Sequence, residues 1–464
     1  MSSYAAALDF GSSKIALAVG ERTPDGIRIV SYRDLPAAGI ECGEIVNDYK
    51  VSEIVRTLVS QAEEELGQPV SEVTVGLSGR VLHSKPLPCQ ITRTDPKAYI
   101  GEEEVQQITR ARYRASLEDD MTVFEAVPQK YSTEDCIGIT HEELIGMVGA
   151  RIEADFKLFY GRKSIIGRRT TILENCGLRL KKAILAPIAS ARAVLTRPEM
   201  ENGAALVDIG KNTTEIAIIK DNIVRHAAII PFGGESVTGD IKNVTNITRE
   251  WAETIKILYG RCCEEYALEN KKLMLKNESD VSDGEVELSL LARTVEARLS
   301  EIFDAVRYVI EQSGYASKIA SGVVITGGAS HHEDLIQLAS ALLGQKVRLA
   351  APASVEKDSV EDALDVYAAT AVGLVMETLD PMLSHALEHK KETMAQSTAE
   401  TGSGSLFPIE EEELPSAREE RARRKEQERL ERERKKEEDR RRKEEKKKTG
   451  GGFFSDLFSN NNNA

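Results

Sequence analysis

Short apolar runs of strand length alternate along this chain with longer stretches whose apolar residues recur every three or four positions. Tyr4–Leu8 and Ala204–Val207 are runs of the first kind. Each ends in an Asp-x-Gly turn, Asp9-Phe10-Gly11 and Asp208-Ile209-Gly210, 199 positions apart. A second run follows each turn, Ile15–Val19 and Glu215–Ile219. Then come Asp25-Gly26 and Asp221-Asn222, residues that tolerate the positive φ of hairpin turns, and third strands at Ile27–Tyr32 and Ile223–Ile229. The same order of strands and turns, met twice, predicts a duplicated fold.

The remaining pattern fills in around that repeat. Gly39–Ile45 reads as a loop with a short strand, Lys50–Leu66 as a helix stopped by Gly67, and Val70–Leu77 as a buried strand. From about Ser84 the texture changes, with Pro86, Pro88 and Pro96, a helix-like Gly101–Leu117, a strand-like Thr122–Tyr131 and a last strand near Phe156–Tyr160. That stretch predicts a small inserted α+β module. Helices follow at Ser164–Cys176, Ile188–Leu195, Thr248–Leu258 and Leu288–Gln312, with a strand at Leu180–Leu185 and a polar hairpin or loop at Asn270–Glu287. Val323–Thr326 is a buried strand running into Gly327-Gly328, and Asp365–Thr378 is the last packed helix.

Composition sharpens this in two places. The net charge of −15 conceals 17 Lys/Arg against 11 Asp/Glu between Ala417 and Lys448, a local +6 that leaves about −21 on the rest. An acidic body argues against nucleic-acid binding, and Arg110, Arg112 and Arg114 read as a solvated helix face. Six cysteines without C-x-x-C spacing, no signal peptide and no transmembrane-length apolar run suit reduced thiols in a cytosolic protein.

The two turns carry the candidate chemistry. Gly11 and Gly210 let the backbone approach a ligand closely, and backbone N–H groups with the hydroxyls of Ser12, Ser13, Thr213 and Thr214 can donate to phosphate oxygens. Lys14 adds a point charge for the β- and γ-phosphates. Asp9 and Asp208 repel bare phosphate, and their sensible task is to hold Mg²⁺ through water. Lys211 and Asn212 complete the second loop, where glycine would be easier if the backbone were left-handed. Gly233-Gly234 before a helix is either a tight turn only or a place for an adenosine to lie against the backbone, and Gly327-Gly328 let the chain pass close over a flat ligand such as adenine.

The C-terminal segment follows different rules. Thr398–Ser405 is Gly/Ser/Thr-rich and reads as a flexible linker, and Ala417–Lys448 is either disordered or an isolated charged helix. Beyond it Phe453, Phe454, Leu457 and Phe458 would share one face of a short helix that has no core to join. With basic residues just upstream, insertion into anionic lipid is favoured over docking in a partner groove.

With these residues in view, the sequence resembles the FtsA family of bacterial cell-division proteins, in the actin/Hsp70/sugar-kinase superfamily. The resemblance spans roughly 4–380 and the terminal motif. It rests on D-F-G-S-S-K (9–14), G-I-E-C-G-E-I (39–45), G-M-V-G-A-R-I-E (146–153), P-F-G-G-E-S-V-T-G-D (231–240), A-E-T-I-K (252–256) and I-T-G-G-A-S (325–330). It implies an α/β, actin-like, duplicated two-lobe ATPase fold with an inserted small α+β module and a flexible charged tail. The first lobe would be 1–83, completed by 161–199 and 365–385, with the module at 84–160. The second lobe would be 200–235, completed by 312–364, with an outer subdomain at 236–311, a charged linker at 386–448 and a membrane-targeting tail at 449–464. ATP with Mg²⁺ would lie between the lobes, Glu253 and Lys256 near its ribose or adenine, in a slow ATPase at most. Arg298 would sit on a surface for the C-terminal peptide of the tubulin-like FtsZ. Filaments of the chain itself, other division proteins and the cytoplasmic face of the cell membrane at the division site complete the implied setting. A related scaffold for a pilus or secretion machine, or a small-molecule kinase of the same superfamily, are the alternatives. The kinase would need a general base facing a substrate, and the residues nominate none.

Overall fold

The computed structural model describes residues 4–111, 117–263, 271–276 and 282–386. The chain opens with an antiparallel meander of β1 (Tyr4–Phe10), β2 (Lys14–Arg22) and β3 (Ile27–Pro36). A two-residue ladder, β4 (Ile40–Glu41) with β5 (Glu44–Ile45), leads into α1 (Asp48–Leu66) and β6 (Glu72–Leu77). Helix α1 forms where the periodicity places it. Asn47 accepts the Lys50 N–H at its start, and Gly67 ends it at φ +67°, donating to the Glu63 carbonyl.

A separate four-stranded sheet follows, built from β7 (His83–Thr92), β8 (Met121–Ser132), β9 (Ile137–Ile139) and β10 (Arg151–Arg162) in the order β7-β10-β8-β9. Helices α2 (Glu102–Ala111) and α3 (His141–Leu144) belong to it, and it keeps a core of its own around Ile100, Ile108, Ile152 and Phe156. Its last strand runs for twelve residues rather than the few near Phe156–Tyr160 that the apolar spacing marks. The chain then returns to the first sheet through α4 (Lys163–Asn175) and β11 (Arg179–Leu185).

After α5 (Ala186–Val194) and α6 (Arg197–Asn202), a second meander repeats the first, with β12 (Ala204–Ile209), β13 (Thr214–Lys220) and β14 (Ile223–Ile230). Asp221 and Asn222 turn it at φ +55° and +58°, as the residue types require. Helices α7 (Gly234–Thr245) and α8 (Arg249–Tyr259), strands β15 (Lys272–Lys276) and β16 (Ser282–Glu287), and the long α9 (Leu288–Gln312) come next. Then β17 (Val323–Thr326), α10 (Leu335–Leu343), β18 (Val347–Leu349) and α11 (Ala369–Leu379) complete the described chain.

The two large sheets have one topology. Their orders are β11-β6-β1-β2-β3 and β18-β17-β12-β13-β14, with an antiparallel meander on one side and two parallel strands on the other in each. Strand alternation decides what each face of the second sheet touches. Leu206, Ala217, Ile219 and Val224 join the first lobe's core, whereas Val207, Ile209, Ile216 and Ile218 face the core of α7, α9 and α10. This is the duplicated two-lobe α/β arrangement that the repeated pattern predicts, with the inserted α+β module. The charged segment and Phe453, Phe454, Leu457 and Phe458 lie outside the described residues, as do Arg112 and Arg114.

Candidate functional site

The two Asp-x-Gly turns meet across a cleft of about 770 Å³. Its walls include Asp9, Gly11, Ser12, Ser13 and Lys14 from the first hairpin and Asp208, Gly210, Lys211, Asn212 and Thr213 from the second. Gly234, Glu253, Lys256, Gly327 and Gly328 line it too. Two of the expected residues stand behind this wall. Thr214 is buried and donates to the Phe232 carbonyl at 2.9 Å, and Gly233 packs against the second loop.

Glycine is required at two of these places for reasons the structure supplies. A Cβ on Gly233 would stand 2.4 Å from the Gly210 carbonyl oxygen. Gly327 has φ +94°, and a Cβ there would meet Asp208 Oδ1 at 2.3 Å. The second loop corrects an expectation. Neither Lys211 nor Asn212 has positive φ, so the loop closes without any left-handed residue and a lysine there costs nothing in backbone strain.

Acid is concentrated where the hairpins meet. Cross-strand pairing sets Glu215 directly opposite Asp208, while the matching partner of Asp9 is Ala16. Glu215 is buried and accepts a hydrogen bond from Ser78 of the other lobe. Burial and the neighbouring Asp208 push its carboxyl up to about 8. Burial and Asp208 likewise raise Asp9 to about 6, against the pull of Lys14 and Arg169. Burial raises Asp208 as well, although Ser190 donates to it at 2.8 Å. Among the described residues no three His, Cys, Asp or Glu side chains stand close enough to ligate a metal directly. The acids suit a cation that keeps its waters.

One cation is built in beneath them. Arg169 of α4 is 1% exposed, lies 5.4 Å from the Phe10 ring centroid and donates to the carbonyls of Ile165 and Gly43 at 2.9 and 3.0 Å. Its Nε is buried without a hydrogen-bond partner. The Gly43 N–H in turn donates to Ser12 Oγ at 3.0 Å, so the first loop is braced by the G-I-E-C-G-E-I hairpin. Lys14 is held to one side, donating to Tyr32 Oη at 2.9 Å, 3.6 Å from Asp34 and above the Tyr367 ring. Lys256 is buried and donates to Gly234, Thr238 and Glu253 at 3.2, 3.0 and 2.7 Å. Lys256 therefore fixes the Gly233-Gly234 turn to α8 and orients Glu253 toward the cleft.

Sequence reasoning missed Glu215 and Arg169. Glu215 was legible in principle, because a four-residue turn between paired strands sets positions 208 and 215 opposite each other. Arg169 lies on a helix that carries no motif. Arg298, on α9, is away from the cleft and already engaged, with Asp240 at 2.5 and 3.1 Å and Glu301 at 2.5 Å.

Comparison with known proteins places this architecture. A family model for the cell division protein FtsA matches residues 205–373. The cell division protein FtsA of Pseudomonas aeruginosa is 30% identical over 409 residues, spanning 88% of this chain and 94% of that protein. The chain belongs to the FtsA family. Its role is accordingly in cell division. The Neisseria meningitidis FtsA is 29% identical over 75% of this chain and 84% of its own length. The Escherichia coli FtsA is 27% identical over 84% and 93%. Among solved structures, a PilM–PilN type IV pilus biogenesis complex aligns at TM-score 0.58 and 15% identity, covering 81% of this chain and 99% of the other. That likeness is one of fold alone, and it agrees with an actin-like FtsA. No helix among the described residues is long and apolar enough to cross a membrane.

Proposed function

We propose that this chain binds ATP with Mg²⁺ in the cleft, assembles with copies of itself and fixes FtsZ to the inner membrane. The observation that carries the nucleotide reading is the convergence of two hydroxyl-bearing hairpin loops on three raised carboxylates, Asp9, Asp208 and Glu215. Three carboxylates crowded at the cleft, with Arg169 buried beneath them and Lys14 drawn aside to Tyr32 and Asp34, are short of positive charge, and a hydrated divalent cation is what would bring them back to the ionised form. Mg²⁺ would neutralise the phosphate oxygens that Ser12, Ser13 and Thr213 face. The chain's own residues do the rest. Gly327 and Gly328 keep side chains out of the cleft, Lys256 holds Glu253 in place, and Glu215 accepts the Ser78 hydroxyl across it.

Calorimetric titration of ATP tests this directly. Tight binding is expected with Mg²⁺ and at least tenfold weaker binding in its absence, and Asp208→Asn should erase that difference. Equal affinity with and without Mg²⁺ in the parent chain would remove the carboxylates from the reading.

The FtsZ step rests on family membership and on Arg298. Replacing Arg298 by Glu would set a third acid beside Asp240 and Glu301, so Arg298→Gln is the cleaner variant. Binding of an FtsZ C-terminal peptide should fall about tenfold in Arg298→Gln, the loss of one charge-assisted contact. An unchanged affinity would clear Arg298 of the role. The membrane step rests on the apolar cluster Phe453, Phe454, Leu457 and Phe458 behind a basic stretch.

A further inference from the structure

The segment that follows α11 is held by more than its own helix. After α11 it turns through Asp380–Ala386, and two buried carboxylates grip it. Glu377, fully buried in the last turn of α11, accepts the N–H groups of Met382, Leu383 and Ser384 at 3.1, 3.0 and 3.0 Å. Glu125, also fully buried, accepts Ser384 Oγ at 2.9 Å and the His385 N–H at 2.6 Å. Leu383 is 1% exposed between them. Arg192 of α5 stands 3.6 Å from Glu377 and 3.3 Å from Asp380, and Arg22 of β2 reaches Asp380 at 2.5 Å.

The two acids come from different bodies. Glu377 belongs to the helix whose first turn lines the cleft, and Glu125 belongs to β8 of the inserted module. Strand β8 is irregular on either side of that grip. Its register against β10 slips at Phe124 and at Gln129, and such bulges re-aim side chains. Phe124 goes into the first lobe's core. Gln129 crosses to the second lobe, donating to the Val224 carbonyl at 3.0 Å and accepting from Arg225 at 3.1 Å. Capping a helix end needs only water or one local bond, whereas burying two carboxylates is costly unless they hold something.

We infer that Asp380–Ala386, which immediately precedes residues 387–464 in the sequence, is a latch that ties the inserted module to the first lobe. The module is thereby the part of the body that registers what happens to the tail. A load or a bound surface on the tail reaches His385 and Ser384 first, then Glu125 and β8. The ligand of the latch is its own chain, and its release unties Glu125 of the module from the segment that follows α11.

Hydrogen exchange on the full-length chain tests the latch through two variants. Ser384→Ala deletes one donor to Glu125 on a peripheral segment, and Glu125→Gln keeps the shape while removing the charge. Each should speed exchange about tenfold, the loss of roughly one hydrogen bond, in both 382–386 and 121–132, with the 9–14 and 208–214 loops unchanged. Faster exchange in 382–386 with β8 unaffected would reduce the segment to a cap on α11 and overturn the inference. No change in either peptide would overturn it as well.

Discussion

At the scale of single residues, the charge state of Glu215 has the plainest consequence. An ordinary glutamate titrates near 4.5, and this one is pushed up to about 8. Between those values the unfolded chain has released the proton and the folded chain still holds it, so stability falls as pH rises through that window. Asp9, raised from 3.8 to about 6, acts in the same direction at lower pH. Glu215→Gln keeps an acceptor for Ser78 and carries no charge. Thermal melts from pH 5 to 8 without divalent cation should therefore show a flatter curve for the variant, about 2 kcal/mol more stable than the parent at pH 8. Parallel curves would mean Glu215 is already ionised, and Mg²⁺ added to the parent at pH 8 should recover part of the loss. Asp9 and Asp208 were legible in the sequence because Asp-x-Gly recurs in matched contexts. Glu215 carries no motif, and an acid at the head of an apolar run reads as a solvent-facing strand end until the four-residue turn is used to pair it with Asp208.

At the scale of elements, strands and long helices follow their periodicity closely, and departures fall in the inserted module, where β10 is longer than its apolar core, and where backbone serves the cleft. Val323–Thr326 and Leu288–Gln312 sit where the pattern places them. By contrast, the helical signal from Asp365 begins as a tight 3-10 turn at Val366–Ala368, which aims the Val366 carbonyl at the Gly327 N–H and the Thr326 hydroxyl. Periodicity cannot see a turn selected by a partner 40 positions away. The loop after Asp208 teaches the same lesson in reverse. Glycine is familiar in such loops, yet Lys211 and Asn212 occupy ordinary backbone here. Lys211→Gly or Asn212→Gly should therefore cost about 0.5–1 kcal/mol by loosening the unfolded chain, measured by urea denaturation. A glycine that stabilised the protein at either place would show strain that the dihedral angles do not.

At the scale of the whole molecule, an acidic body carries a basic tail that ends in an apolar cluster. The four side chains Phe453, Phe454, Leu457 and Phe458 bury too little to anchor a chain alone, since single weak anchors bind membranes reversibly. The 17 Lys/Arg upstream add attraction to anionic lipid, but the 11 acids among them and the −21 of the rest repel it. Such a balance makes binding depend on salt, on lipid charge and on how many copies attach together. Assembly multiplies weak contacts without adding a new one. Co-sedimentation with liposomes should accordingly be strong with phosphatidylglycerol and fall several-fold between 50 and 300 mM salt, roughly as the Debye length shrinks below about 10 Å. Leu457→Glu with Phe458→Glu should abolish it at either salt, because steering by charge cannot replace the inserted face. Pelleting of that double variant at the parent level would show that the tail does not carry the membrane contact, and the adaptor reading would then need an anchor elsewhere in the chain.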